Sequence, residues 1–169
     1  MNASSSVHSN RWIPPPPGWV KLNVDGSVQG DGKRAGCGGV ICDHRGAWIS
    51  GFSQTLGLCD AYEAEEWALL YGLKRAWEEG HKFLIVESDA QLLVDKIHRN
   101  CQEPNTSLVF LQIKQMLLHS WDVKIIYIPR TSNVLADALA KEGTTLTSLM
   151  LVCPPKFRTM VISECMGLD

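Results

Sequence analysis

From Val20 the chain alternates: Val20, Leu22 and Val24 are apolar, while Lys21, Asn23 and Asp25 are polar. A period of two predicts a strand with one face buried. The stretch GCGGVICDHRGAWISGFSQTL predicts two more strands folded about the His44-Arg45-Gly46 turn, so the first third reads as an antiparallel meander. At Ala61 the period changes. Ala61, Ala64, Ala68, Leu69, Gly72, Leu73 and Ala76 recur at helical spacing, and Gly80 suits the position just past the helix end. The small residues of this stripe let a helix approach a sheet closely. Phe83 to Glu87, FLIVE, is a continuous apolar run and predicts a central strand covered on both faces. Ser88 and Gln91 have the spacing of a capping box opening a helix over AQLLVDKIHRN. Beyond CQEPNT, the stretch SLVFLQIKQMLLHSW predicts another helix and VKIIYI another strand. PRTSN reads as a turn, with Asn133 suited to cap a last helix, VLADALAKEG.

The order β-β-β-α-β-α-α-β-α predicts an α/β fold: a mixed sheet of three antiparallel strands and then parallel βαβ units, flanked by helices. Residues 1–18 read as a flexible Pro-rich lead-in, residues 19–143 as the domain, and residues 144–169 as a tail that packs outside or is partly disordered. Pro14 to Pro17 favour polyproline II and suit an SH3-type partner. A stiff lead-in with Trp12 and Trp19 docked on the domain is preferred, because Arg11 alone stands as a basic flank.

The chain has 169 residues, 45% hydrophobic and 20% charged, which fits one soluble globular domain. A net charge of −2 announces no strongly basic nucleic-acid binder, so any such contact must use local patches or metal ions. Six cysteines include no C-x-x-C, which favours thiols in a reducing compartment over zinc. The polar N-terminus has no signal-peptide core, and no apolar run approaches the ~18 residues of a membrane span. An intracellular protein without membrane contact is expected, nucleus and cytoplasm both remaining open.

Four acids fit this pattern poorly. Asp25 lies on the first strand just before Gly26, where it also suits a turn. Glu65 stands beside the small-residue stripe, where a carboxylate needs a partner, a metal or an escape to solvent. Asp89 ends the central strand, where it also suits a helix cap. Asp137 lies between Ala136 and Ala138 on the last helix, where it also suits a solvated face. Ligands of open α/β sheets gather beyond the carboxyl ends of the parallel strands. Carboxylates converging there repel unless cations lie between them, and an oxygen-only set favours Mg²⁺. A pair of such ions is a common apparatus for phosphodiester cleavage.

NVDGS, EAEEWALLYGL, VESDAQ and SNVLADALAK, in this order, resemble type 1 ribonuclease H. The chain is similar in particular to the plant ribonuclease H-like domains found alone or in retrotransposon reverse transcriptases, over roughly Trp12 to Gly143. The resemblance implies a five-stranded mixed sheet and a carboxylate set of Asp25, Glu65, Asp89 and Asp137. That set would hold two Mg²⁺ ions, or Mn²⁺, and hydrolyse the RNA strand of an RNA–DNA hybrid. It further implies substrate contacts at Gly26, Ser27, Gln91, Arg130 and Asn133, and a monomer.

Three features depart from the family: where many members place Asn or Gln just before the helix Glu, this chain has DAYEA. Many members carry a His before the last Asp; here IPRTSN has none, and Arg130 is the candidate substitute as a phosphate contact. No basic extension follows DKIHRN. Lys33, Arg34, Lys74, Arg75, Lys96 and Arg99 are candidate phosphate contacts, or plain surface. The competing expectation is a binding or interaction module of the same fold with little catalysis. A 3′–5′ exonuclease ranks lower, because Ser27 stands where its first-strand Glu belongs.

Overall fold

The computed structural model describes residues 11–30, 34–99 and 103–147. Strands β1 (Val20–Val28), β2 (Ala35–Cys42) and β3 (Trp48–Gly57) are followed by helix α1 (Ala61–Glu78), β4 (Phe83–Ser88), α2 (Gln91–Arg99) and α3 (Leu108–Leu117). Strand β5 (Asp122–Tyr127), a 3-10 turn (Arg130–Ser132) and α4 (Val134–Gly143) complete the order. One five-stranded sheet runs β3-β2-β1-β4-β5. β1–β2 and β2–β3 are antiparallel, while β1–β4 and β4–β5 are parallel, as the sequence pattern predicts.

The alternation of β1 sorts its two faces. Leu22 and Val24 join Leu69, Leu70, Leu73, Leu84 and Val86 in the main core beneath α1, α2 and α3. The small stripe of α1 is buried as expected at Ala64, Ala68, Gly72 and Ala76. Asp60 and Glu63 form a reciprocal capping box at its start. At its end Gly80 has φ +84°, and the bonds Gly80 N–H to Trp77 O and His81 N–H to Ala76 O close a Schellman motif. On the other face α4 packs over β2, β1 and β3, where Trp12, Val40, Cys42, Leu135 and Leu139 make a second core. Gly36 permits this approach: a Cβ there would stand 2.4 Å from Thr144 N.

Several expectations are corrected. β4 is covered on the α1 face, but on the other face Phe83 is half exposed and meets Trp19 at its edge. The reason is that α4 lies over the antiparallel strands. Ser88 and Gln91 form no capping box; Ser88 Oγ accepts from Ala90 N–H, two residues on, because β4 runs through Ser88 itself. Asn133 precedes α4 but its side chain makes no cap bond. The third predicted helix stops at Leu117 rather than running to Trp121, whose indole N–H instead donates to Met116 O.

The lead-in docks: Trp12 and Pro15 are buried, and Gly18 turns the chain into β1. Among the described residues no helix is long and apolar enough to cross a membrane. Lys33, Cys101, Cys153, Cys165 and the tail from residue 148 lie outside the described residues.

Candidate active site

β1 and β4 run in parallel, and their pairing ends at Val24 opposite Ser88. One residue further stand Asp25, still within β1 and opposite Gly38 of β2, and Asp89, just past the end of β4. Gly26 brings in the third acid. A Cβ on it would fall 2.5 Å from Ala64 C and 2.7 Å from Glu65 N, so only glycine lets α1 cross here. The Gly26 N–H then donates to Glu65 Oε2 at 3.1 Å. One oxygen from each of Asp25, Glu65 and Asp89 lies within 4.8 Å of the others.

These carboxylates are poorly compensated. Asp25 is 1% exposed, and Asp25 Oδ2 and Asp89 Oδ1 are buried with no hydrogen-bond partner. Burial, then the neighbouring Glu65 and Asp89, pushes the Asp25 carboxyl far above its ordinary range. Burial pushes Glu65 up as well, against the neighbouring Asp25 and the hydrogen bond from the Gly26 N–H. A buried, unpaired carboxylate is costly, and two beside a third are more so. An oxygen-only donor set of this charge suits a hard divalent cation.

Asp137 is not part of this trio. It stands in the first turn of α4, lines the same cleft as Gly26, Ser27, Glu65 and Arg130, and pairs with Lys141 at 2.7 Å. The Arg130 side chain is 81% exposed, with its Nε 3.6 Å from Asp89 Oδ2. Gln91 is exposed at the first turn of α2. Asn133, expected among the substrate contacts, is 1% exposed. Its amide joins Asn23 and Val24 O, so it faces the sheet rather than the cleft. Apart from Arg130, none of the described basic candidates lines the cleft. Lys74 reaches Gln112, Arg75 pairs with Glu79, and Lys96 stands over the Phe110 ring. Arg34 and Arg99 are exposed.

Three groups escaped the sequence reading. Lys141 follows Asp137 by four residues in ADALAK, a spacing that signals the pair. Glu87, left without a role, binds Lys21 and Asn23. Glu66 is 1% exposed, accepts from the Ser107 hydroxyl at 2.8 Å, and is pushed up by burial. Its spacing to Leu69, Leu70 and Leu73 is the missed signal of a buried face.

A family model described as reverse transcriptase-like matches residues 23–143. A protein of Arabidopsis thaliana named for ribonuclease H is 35% identical over 137 residues, covering 80% of this chain and 22% of its own length. Ribonuclease HI of Halobacterium salinarum is 27% identical over 128 residues, covering 75% of this chain. The chain thus spans 22% and 64% of the lengths of these two relatives. The crystal structure of RNase H1 from Halobacterium salinarum superimposes with a TM-score of 0.68 at 26% identity, over 74% of this chain and 96% of that one. LC11-RNase H1, crystallised with an RNA/DNA hybrid, gives a TM-score of 0.66 at 26% identity, over 74% of this chain and 96% of that one.

Proposed function

The chain belongs to the reverse transcriptase-like family and has the ribonuclease H fold, and from that premise we propose that it hydrolyses the RNA strand of RNA–DNA hybrids. One observation carries the reading: two orphaned carboxylate oxygens, on Asp25 and Asp89, are buried beside Glu65 at the end of the parallel strands. The Gly26 N–H and the exposed Arg130 guanidinium compensate that charge only in part, so the donor set fits divalent cations, Mg²⁺ or Mn²⁺. Asp25, Glu65 and Asp89 would hold them, with Asp137 joining from the rim after leaving Lys141. When bound, a pair of such ions supplies charge stabilisation and a nucleophile at neutral pH for in-line phosphodiester cleavage.

The remaining work falls to the chain itself. Gly26 and Ser27 present backbone at the cleft, where an RNA ribose can approach. Arg130, with its guanidinium in solvent, suits a phosphate. Gln91 stands ready for a base or sugar edge. LC11-RNase H1 in complex with RNA/DNA hybrid supports the same substrate class for this chain.

A second reading, a hybrid-binding module with little turnover, is favoured by the absence of a histidine among the described residues that line the cleft. A cleavage assay on labelled hybrid, duplex RNA and duplex DNA, with Mg²⁺ or Mn²⁺, separates them. Cutting of the hybrid alone, lost in Asp89→Asn, is expected. Binding of the hybrid without cleavage under either ion supports the module, and undiminished cutting by Asp89→Asn places the site elsewhere.

A further inference from the structure

Beneath α4 lies a run of buried polar side chains that the chemistry above leaves unused. Trp12 Nε1–H donates to Asn23 Oδ1 at 2.9 Å. Asn23 Nδ2 donates to Glu87 Oε1 at 3.2 Å and to Asn133 Oδ1 at 3.1 Å. Lys21 Nζ donates to Glu87 Oε2 at 3.2 Å and to the backbone oxygen of Ile13. Asn133 Nδ2 closes the run on Val24 O at 2.9 Å. All five side chains belong to residues no more than 9% exposed.

Apolar side chains of similar volume would hold helix to sheet at least as firmly. What hydrogen bonds add is direction: each fixes one arrangement and makes the alternatives costly. Here the fixed residue is Asn133. Its N–H donates to Arg130 O and its C=O accepts from Asp137 N–H, each at 3.0 Å. Asn133 therefore joins the turn bearing Arg130 to the first turn of α4 bearing Asp137. Its amide ties both to Val24, the residue before Asp25. The far end of the run is the lead-in, whose prolines limit the freedom Trp12 must lose on docking.

We propose that Trp12 is a positioning residue for the acid cluster, setting through Asn23 and Asn133 where Arg130 and Asp137 stand relative to Asp25. The Pro-rich lead-in is then a working part of the catalytic domain rather than a spacer. The effect on turnover rests on the nuclease reading; the hydrogen-bonded coupling does not.

The test is Trp12→Phe in the full chain, which keeps an aromatic ring and removes the donor. Trp19→Phe is the control, since Trp19 also docks but packs on Phe83 outside the run. In metal-free protein, the Asn133 side-chain NH₂ is protected from hydrogen exchange, and Trp12→Phe abolishes that protection while Trp19→Phe retains it. On RNA–DNA hybrid well below the melting temperature, Trp12→Phe lowers kcat by about tenfold to a hundredfold, the scale of a misplaced reacting group. KM for the hybrid stays near that of the wild type, a split that loss of stability alone does not produce. In the wild type, the Trp12 indole N–H and the Asn133 NH₂ exchange through one opening event, with the same denaturant dependence. Independent exchange of the two groups, or unchanged Asn133 protection in Trp12→Phe, overturns the proposal. So does a kcat loss no larger than that of Trp19→Phe when the wild type cleaves. A wild type that cuts no hybrid but shows the coupled exchange sinks only the nuclease reading.

Discussion

Replacing Asp25 by asparagine stabilises the metal-free protein while removing its response to cations. Asp25 and Glu65 both have raised carboxyl pKa values, so the folded chain binds protons more tightly than the unfolded chain. Stability from this source is complete below the unfolded carboxylate range and is lost as pH rises through the folded values. Asp25 is shifted further than Glu65, so Glu65 sets a lower bound on the scale: its carboxyl is pushed from an ordinary 4.5 up to about 7. At about 1.4 kcal/mol per pKa unit, ionising it in place forgoes about 3 kcal/mol by neutral pH. For a domain of this size that is about 10 °C in Tm. The amide introduced by Asp25→Asn carries no charge, and its NH₂ can donate to a neighbouring carboxylate. Thermal melts in chelator therefore show Asp25→Asn level with the wild type near pH 4 and about 10 °C above it near pH 7.5. Saturating Mg²⁺ narrows the gap: at a hundred times Kd a single ion adds about 2.7 kcal/mol to the wild type and little to the variant. If Asp25→Asn melts below the wild type in chelator at every pH, or both gain equally from Mg²⁺, the carboxylate trio is not a repulsive cation site.

Gly26→Ala forces a Cβ into the backbone of Ala64 and Glu65. It costs about 3 kcal/mol by urea denaturation and weakens the Mg²⁺-induced rise in Tm; a wild-type midpoint would contradict the close crossing. Asp137→Asn keeps most of that Mg²⁺-induced rise, because the other three acids form the buried cluster, but loses most hybrid cleavage. Equal loss of both in Asp137→Asn and Asp89→Asn would put Asp137 inside the first cation's shell. Ser107→Ala removes both the N-cap of α3 and the donor to Glu66, costing about 1–2 kcal/mol in chemical denaturation. Burial raises Glu66, so its stabilising protonation is lost as pH climbs from the unfolded carboxylate range. Glu66→Gln therefore gains on the wild type as pH climbs above the unfolded carboxylate range, and a difference in Tm that stays constant with pH would refute this.

The period of two at Val20–Asp25, the helical stripe from Ala64 to Ala76 and the apolar run FLIVE were enough to place β1, α1 and β4. Local patterning carries that information because side-chain direction follows backbone period. The same patterns named Asp25, Glu65, Asp89 and Asp137 as misfits, but each had a harmless local explanation. Tertiary structure decided among those explanations. The β1–β4 register brought Asp25 beside Asp89, and the bare Cα of Gly26 let α1 place Glu65 there. The burial of the trio, with two oxygens left unpaired, is a property of that convergence and of no single segment. Tertiary structure also turned Asn133 from the cleft into the sheet and partnered Glu87 with Lys21. Those contacts join residues separated by 66 to 110 positions. Hydrogen bonds across such separations leave no period for a sequence to show; they exist only once α4 and the lead-in have packed against β1.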